Sequence, residues 1–384
     1  MRIAVLLIGV LVASVESSSV QAPLFSPAPG SPIPVGKGGG TLLFADINGD
    51  RHLDLMSRHL LERVLIVRPG DGRGGFAAAT MPVRFDYDFG GMVLGDMNED
   101  GLPDVAVTSG TRDFVDLFVG IGKGAFRRAT GSPFAVTDAN EPFNKRTIHA
   151  LDLNEDGHLD IVTANGRRRN TFAVLFGDGR GGFTRGPEVP LDSGRDGYVF
   201  AFADFNGDRH LDVVSASRNG YEDTAPGRVI VRFGDGKGNF IQASGSPFDT
   251  PVGPRSVTVE DFNSDRRPDV AITNRDGLFA VFVNDGRGGF SAAPGSPFAL
   301  GVDGHSVAAA DVDRDGRMDL VCANVKEVAV FLGGSGSFSQ APGSPYRAGP
   351  GSYFATLVDL NRDGKLDIAA SAFEGDGVTL LLQR

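Results

Sequence analysis

The sequence predicts an all-β fold, a seven-bladed β-propeller with four antiparallel strands per blade. Three observations predict it. A nine-residue acidic motif recurs seven times. Every copy sits in the same order of short apolar runs and glycine-rich turns. The N-terminal segment resembles the one strand that the last repeat lacks.

The acidic motif places oxygen-bearing side chains at positions 1, 3, 5 and 9. "DINGDRHLD" carries Asp46, Asn48, Asp50 and Asp54, and "DMNEDGLPD" carries Asp96, Asn98, Asp100 and Asp104. "DLNEDGHLD" carries Asp152, Asn154, Asp156 and Asp160, and "DFNGDRHLD" carries Asp204, Asn206, Asp208 and Asp212. "DFNSDRRPD" carries Asp261, Asn263, Asp265 and Asp269. "DVDRDGRMD" carries Asp311, Asp313, Asp315 and Asp319, and "DLNRDGKLD" carries Asp359, Asn361, Asp363 and Asp367. Successive copies start 50, 56, 52, 57, 50 and 48 residues apart. That period suits one four-stranded blade per repeat.

The fourth repeat shows the internal order. "YVFAFA" (198–203) precedes the acidic loop, and "LDVVSAS" (211–217) follows it. "RVIVRF" (228–233) is a third run, "GDGKGN" (234–239) a turn, and "FIQASGSPF" (240–248) a fourth run. Four short runs separated by turn residues read as a small antiparallel sheet. The glycine-rich turns are followed by no helical period, so they read as hairpin turns rather than phosphate loops. The last repeat ends at "VTLLLQR" (378–384), its third strand. "FSPAPGSPIPVG" (25–36) matches "FSQAPGSPYRAG" (338–349), the fourth run of repeat six. The start of the folded chain therefore supplies the missing strand and closes the ring, leaving no open edge. An open β-solenoid would need no such complement.

Oxygen donors at 1, 3, 5 and 9, with the backbone carbonyl of position 7, suit a hard cation, and calcium takes six to eight oxygens. The pattern contains no Cys or His ligand of the kind zinc or iron prefers. An EF-hand needs Glu at position 12 between two helices. Position 12 here is Ser57, Val107, Thr163, Ser215, Ile272, Cys322 and Ala370, and the flanks alternate like strands. The reading is a calcium loop joining two strands, with up to seven structural Ca²⁺ ions. One copy alone would equally fit an Asp/Gly turn without metal, whereas seven complete copies favour the cation. Position 6 is Arg51, Arg209 and Arg266 in three loops and Gly in the others. A positive φ there would strain those three and weaken their sites. Seven Ca²⁺ would bring the formal charge from −11 to about +3.

The acidic loops, together with "FGDG" and "GSPF" (Phe233-Gly234 and Gly245–Phe248), resemble the FG-GAP/VCBS repeat family, whose best-known relatives are the propellers of integrin α-subunits. The resemblance covers about residues 25–384 and implies a calcium-binding seven-bladed propeller. It implies no particular ligand, because the family includes adhesion proteins and lectins. This chain departs from the integrin pattern by lacking the other integrin domains and by carrying a complete acidic loop in every repeat.

Residues 1–22 read as a signal peptide: Arg2, the apolar run Ile3 to Val15, then a polar stretch ending in small residues. That run is too short for a membrane span. The expected folded unit is a single domain, 23–384, of a secreted, cell-surface or periplasmic protein. With Cys322 alone, no internal disulfide forms, and the thiol reads as a small core hydrophobe. The net charge of −11 and the lack of a basic patch argue against nucleic acid.

A second site is expected at the opposite end of the axis, where each first strand begins. Six residues before each first Asp stand Gly40, Gly90, Arg146, Tyr198, Arg255, His305 and Tyr353. The hairpins between second and third strands should open on the same end with Asn165, Arg167, Arg168, Arg169, Arg218, Asn274, Arg275 and Asn324. Arg146, Tyr198, Arg255, His305 and Tyr353 form the candidate ligand funnel. The expected role is a non-catalytic binding or adhesion module for an extracellular protein or carbohydrate. Few Tyr and no Trp weaken the carbohydrate reading. One alternative is a polysaccharide lyase, with Arg146 or Arg255 neutralising a substrate carboxylate and Tyr198 or His305 as base. The other is a scaffold with no small-molecule ligand.

Overall fold

A computed structural model describes residues 22–36, 40–59, 61–137, 147–165, 171–191, 195–218, 225–372 and 374–384. Residues 1–21 of the proposed signal peptide and Arg146, Arg167, Arg168 and Arg169 lie outside these residues. Among the described residues no helix forms, and none is long and apolar enough to cross a membrane. The strands make seven antiparallel sheets, one per repeat, and each acidic loop joins the first strand of a blade to the second. Blade three shows the plan: Ile148–Leu151, the acidic loop, Asp160–Asn165, Thr171–Gly177 and Phe183–Pro190.

Blade seven is built from both ends of the chain. Ser352–Val358, Asp367–Ala372 and Gly377–Gln383 come from the C-terminal end. Phe25–Pro27 and Ile33–Pro34 pair antiparallel with Gly377–Gln383, with Phe25 opposite Gln383 and Ile33 opposite Val378. The seam this creates is apolar. Leu42 and Leu55 of blade one pack in one cluster with Leu360, Ala369 and Leu380 of blade seven. Ring closure thus buries apolar surface as well as completing a sheet.

The fourth strands differ from the sequence expectation of one continuous run. In blades two, four, five, six and seven the fourth strand is split in two. These are the blades carrying Gly-Ser-Pro at Ser132, Ser246, Ser296, Ser344 and Ser31. Proline has no N–H to give the ladder. The preceding serine turns its hydroxyl onto the third strand instead, where Oγ accepts from the amides of Leu117, Val231, Val281, Val330 and Leu380 at 2.8–3.0 Å. A side chain here replaces a missing backbone partner. Blades one and three lack Gly-Ser-Pro and keep an unbroken fourth strand.

Second and third strands lie between neighbouring blades and are buried on both faces, as in "DVAVTS" (104–109) and "DLVCAN" (319–324). Their runs are therefore continuously small and apolar. Cys322 is fully buried, and burial pushes its thiol well above the usual range. Phenylalanines fill the wedge between blades, as where Phe279 meets Phe298 and Phe331 at 5.0 and 4.7 Å.

Candidate functional site

The acidic loops owe their shape first to position 2, an apolar plug in every copy. Ile47, Met97, Leu153, Phe205, Phe262, Val312 and Leu360 are all at most 4% exposed. Each plug pulls its loop into the crevice beside the next blade. The following blade grips the plug's carbonyl in several cases. Gly124 N donates to Ile47 O at 3.2 Å, Gly181 N to Met97 O at 3.1 Å, and Asn284 Nδ2 to Phe205 O at 2.9 Å. The plug was legible as a strictly apolar position 2 but is absent from a reading confined to oxygen donors.

Position 9 anchors the loop from the other side. Asp54, Asp104, Asp160, Asp212, Asp269, Asp319 and Asp367 are fully buried. In each, Oδ2 accepts the amide of position 2, and Oδ1 accepts an amide at the end of the third strand. For Asp160 these are Leu153 N and Gly177 N, both at 2.9 Å. For Asp319 they are Val312 N and Gly333 N, both at 2.7 Å. One carboxylate therefore locks loop, second strand and third strand together. Position 1 curls the loop: Asp152 accepts from Asp156 N at 3.1 Å and Gly157 N at 2.9 Å.

Two positions in every loop have a left-handed backbone. Position 6 has φ of 68°, 75° and 69° at Arg51, Arg209 and Arg266, so the expected strain is present there. Position 4 is left-handed too, at Gly49, Glu99, Glu155, Gly207, Ser264, Arg314 and Arg362. A non-glycine residue in this region costs about 1 kcal/mol. Six loops place one glycine at either position 4 or position 6. The loop of blade five, with Ser264 at 65° and Arg266 at 69°, places none.

The remaining polar side chains of each loop meet one another. Asn side chains at position 3 lie against the position 5 carboxylate, as with Asn154 Nδ2 and Asp156 Oδ2 at 2.9 Å. Blade six has Asp313 instead of Asn, and oxygens of Asp311, Asp313 and Asp315 lie within 4.8 Å of one another. Asp359 Oδ1 in blade seven is buried without a hydrogen-bond partner. Burial, opposed by amide donors and reinforced by neighbouring carboxylates, pushes Asp104, Asp212, Asp269, Asp319 and Asp367 up to about 6. The same causes raise Asp54 and Asp160. All the donors are hard oxygens, one is orphaned, and each loop crowds at least three Asp into nine residues. This set fits a hard divalent cation held by positions 1, 3 and 5 and the carbonyl of 7, closed by position 9.

At the opposite rim the structure brings three of the five funnel residues together. Arg255, His305 and Tyr353 come from blades five, six and seven. Each falls inside a register shift between first and second strands: Pro254/Ser256, Gly304/Ser306 and Ser352/Phe354. A bulge re-aims a side chain out of the ladder, and here it does so at the same place in consecutive blades. Tyr198 lies within the corresponding shift between Arg195 and Val199, though its side chain is outside the described residues. His305 meets Tyr353 edge-on at 4.0 Å. Asp303, which the sequence reading missed, accepts from Arg255 Nη2 at 3.2 Å and lies 3.6 Å from His305 Nε2. Burial, against the pull of Asp303, lowers His305 to about 4 and keeps the ring neutral. Phe354 adds a partly exposed aromatic beside Tyr353.

Other rim expectations change. Gly40 makes room for Arg58, a buried residue whose Nη1 donates to the carbonyls of Phe89 and Gly90 at 3.0 and 2.6 Å. Asn274 and Asn324 do not open on the rim: both are fully buried. Asn324 Oδ1 accepts from Lys326 N and Glu327 N and so shapes its own hairpin. Asn165 and Arg218 end their second strands opposite Thr171 and Gly227.

No curated protein gives a significant match. Solved structures that share the fold include three propellers of similar extent. BBS1N in complex with ARL6DN is 11% identical, covers 94% of this chain and 97% of its own, and has a TM-score of 0.62. An Agrocybe aegerita lectin specific for non-reducing terminal N-acetylglucosamine is 17% identical over 87% of this chain and 86% of its own, with a TM-score of 0.58. Saccharomyces cerevisiae Sqt1 is 12% identical over 86% and 81%, with a TM-score of 0.55. The FG-GAP-like repeat profile matches residues 96–163, 152–215, 261–322 and 311–370, more than half of the chain. With its acidic loops in register blade by blade, the chain belongs to the family of FG-GAP-like repeat propellers.

Proposed function

We propose that the protein is a secreted, calcium-stapled propeller acting as a non-catalytic binding module, with its ligand at the bulged rim. The observation that carries this reading is the repeated bulge that sets Arg255, His305 and Tyr353 side by side on blades five to seven. Blade two has the same shift, between Phe89 and Met92, but places Gly90 there against buried Arg58, so blades five to seven stand out by the polar and aromatic side chains that they put at this position. The ligand is an extracellular protein or glycan. That breadth is supported by propellers of the same fold, one in complex with a protein and one recognising a sugar. Calcium would hold the other end, filling the loops through the residues described above and offsetting the repulsion between their carboxylates.

The lyase alternative needs a free cation for a substrate carboxylate. Arg255 already faces Asp303, which speaks for binding over turnover. Elemental analysis of the purified protein tests the metal, and a content near zero would refute it. Glycan and extracellular-protein arrays, probed with wild type and Arg255→Ala/His305→Ala, test the rim. A bound ligand whose signal survives both substitutions would place the site elsewhere. Appearance of unsaturated product from uronic-acid polysaccharides would instead establish the lyase.

A further inference from the structure

The acidic loops touch one another around the ring, and the contacts are uneven. Glu99, position 4 in blade two, reaches His158 Nδ1, position 7 in blade three, at 2.5 Å. Glu155, position 4 in blade three, makes the same contact with His210 of blade four, also at 2.5 Å. Arg314 of blade six donates to the Gly364 carbonyl of blade seven. Where position 4 is Gly49, Gly207 or Ser264, no side chain long enough to cross is present. The division follows from the backbone. A loop with Gly at position 6 relieves one left-handed residue there, and its position 4 carries Glu or Arg. A loop with Arg at position 6 has Gly or Ser at position 4.

We propose that Glu99 and Glu155 are positioning residues that couple cation loading across blades two, three and four. This rests on the calcium reading above. Glu99 stands between two donors of its own loop, Asn98 and Asp100, so closing that loop on a cation fixes its backbone. Its carboxylate then holds the imidazole of His158, whose backbone carbonyl is a donor of the next loop. Gly181, in the blade-three hairpin, grips Met97 of the blade-two loop and carries order across the same boundary. The second site is thus partly ordered before its cation arrives and loses less entropy on binding. Glu155 and His210 repeat the step into blade four. Blade five receives no such side chain from Gly207.

The test is a calcium titration of the chelator-stripped full chain, followed by calorimetry and by competition with a chromophoric chelator. Wild type and Glu99→Gln/Glu155→Gln are compared. Both glutamates are exposed, and the amide keeps their shape. Wild type is expected to fill a group of three sites in one steep phase. The variant should lose that steepness, and the phase should weaken about 2- to 5-fold, the scale of an exposed hydrogen-bonded ion pair. Glu99→Gln alone, His158→Gln alone and the two together form a double-mutant cycle, in which the second substitution should add nothing to the first. Superimposable wild-type and variant curves would overturn the coupling and leave the calcium reading standing. A wild type that binds no calcium would overturn both.

Discussion

The two ends of this propeller are made by the same seven blades and follow opposite rules. At the acidic-loop end every blade repeats one device: an apolar plug at position 2, a curled loop, and a buried Asp joining three backbone segments. At the other end each blade differs. Blades one and two close over Arg58, whereas blades five to seven set Arg255, His305 and Tyr353 side by side on bulges. Repetition marks the end where every blade must solve the same folding problem. Variation marks the end free to differ, where a ligand would be recognised.

The strongest way to break this comparison is to add a chelator. If the loops hold calcium as proposed, excess chelator should lower the melting midpoint by about 10 °C or more, because it removes a ligand bound only by the folded state. An unchanged melting curve would leave the loop end with no metal-dependent role. Next comes Asp160→Ala, which leaves Leu153 N and Gly177 N without their acceptor in a buried site. It should cost about 3 kcal/mol in denaturant melts, and a cost below about 1 kcal/mol would demote the anchor.

A smaller effect distinguishes a group on the axis. His149 lies against Phe200 and Phe202 at 4.9 and 5.8 Å, with Nε2 buried and unpartnered. Burial, partly offset by a hydrogen bond to the Phe200 backbone, lowers it to about 4. The unfolded chain takes up this proton near pH 6.5, and the folded chain only near pH 4. Stability from His149 is therefore complete above pH 6.5 and lost as pH falls towards 4. With calcium present, His149→Phe should resist acid better than wild type by about 2 kcal/mol at pH 4. Parallel pH profiles would contradict this. The smallest change sharpens the difference among loops. Ser264→Gly should stabilise the protein by about 1 kcal/mol by removing one of two left-handed strains. The same gain from Asn263→Gly would show that strain is not the cause.

Much of the fold was legible because repetition leaves little freedom. Seven copies of one motif, and "FSPAPGSPIPVG" matching a gap at the far end, define the blade count and the closure. The strain at Arg51, Arg209 and Arg266 was legible because their counterparts are glycine. Position 4 was not, since Glu99 and Glu155 look like ordinary loop residues until their backbone is seen. Asp303 was also missed: it lies two residues before His305 and gains meaning only beside Arg255, 48 residues earlier. Asn274 and Asn324 were misread for the related reason that a polar residue at a hairpin can face either way.

By itself the sequence determined the all-β class, the seven blades, the ring closure and the oxygen set of each loop. These follow from local patterns: alternation, turn residues and fixed donor spacing act within a few residues of one another. Only the tertiary structure decided which loops touch, that Gly-Ser-Pro splits a strand, and that bulges aim Arg255, His305 and Tyr353 together. Those outcomes depend on register between strands and on distances between blades, quantities that no single repeat encodes.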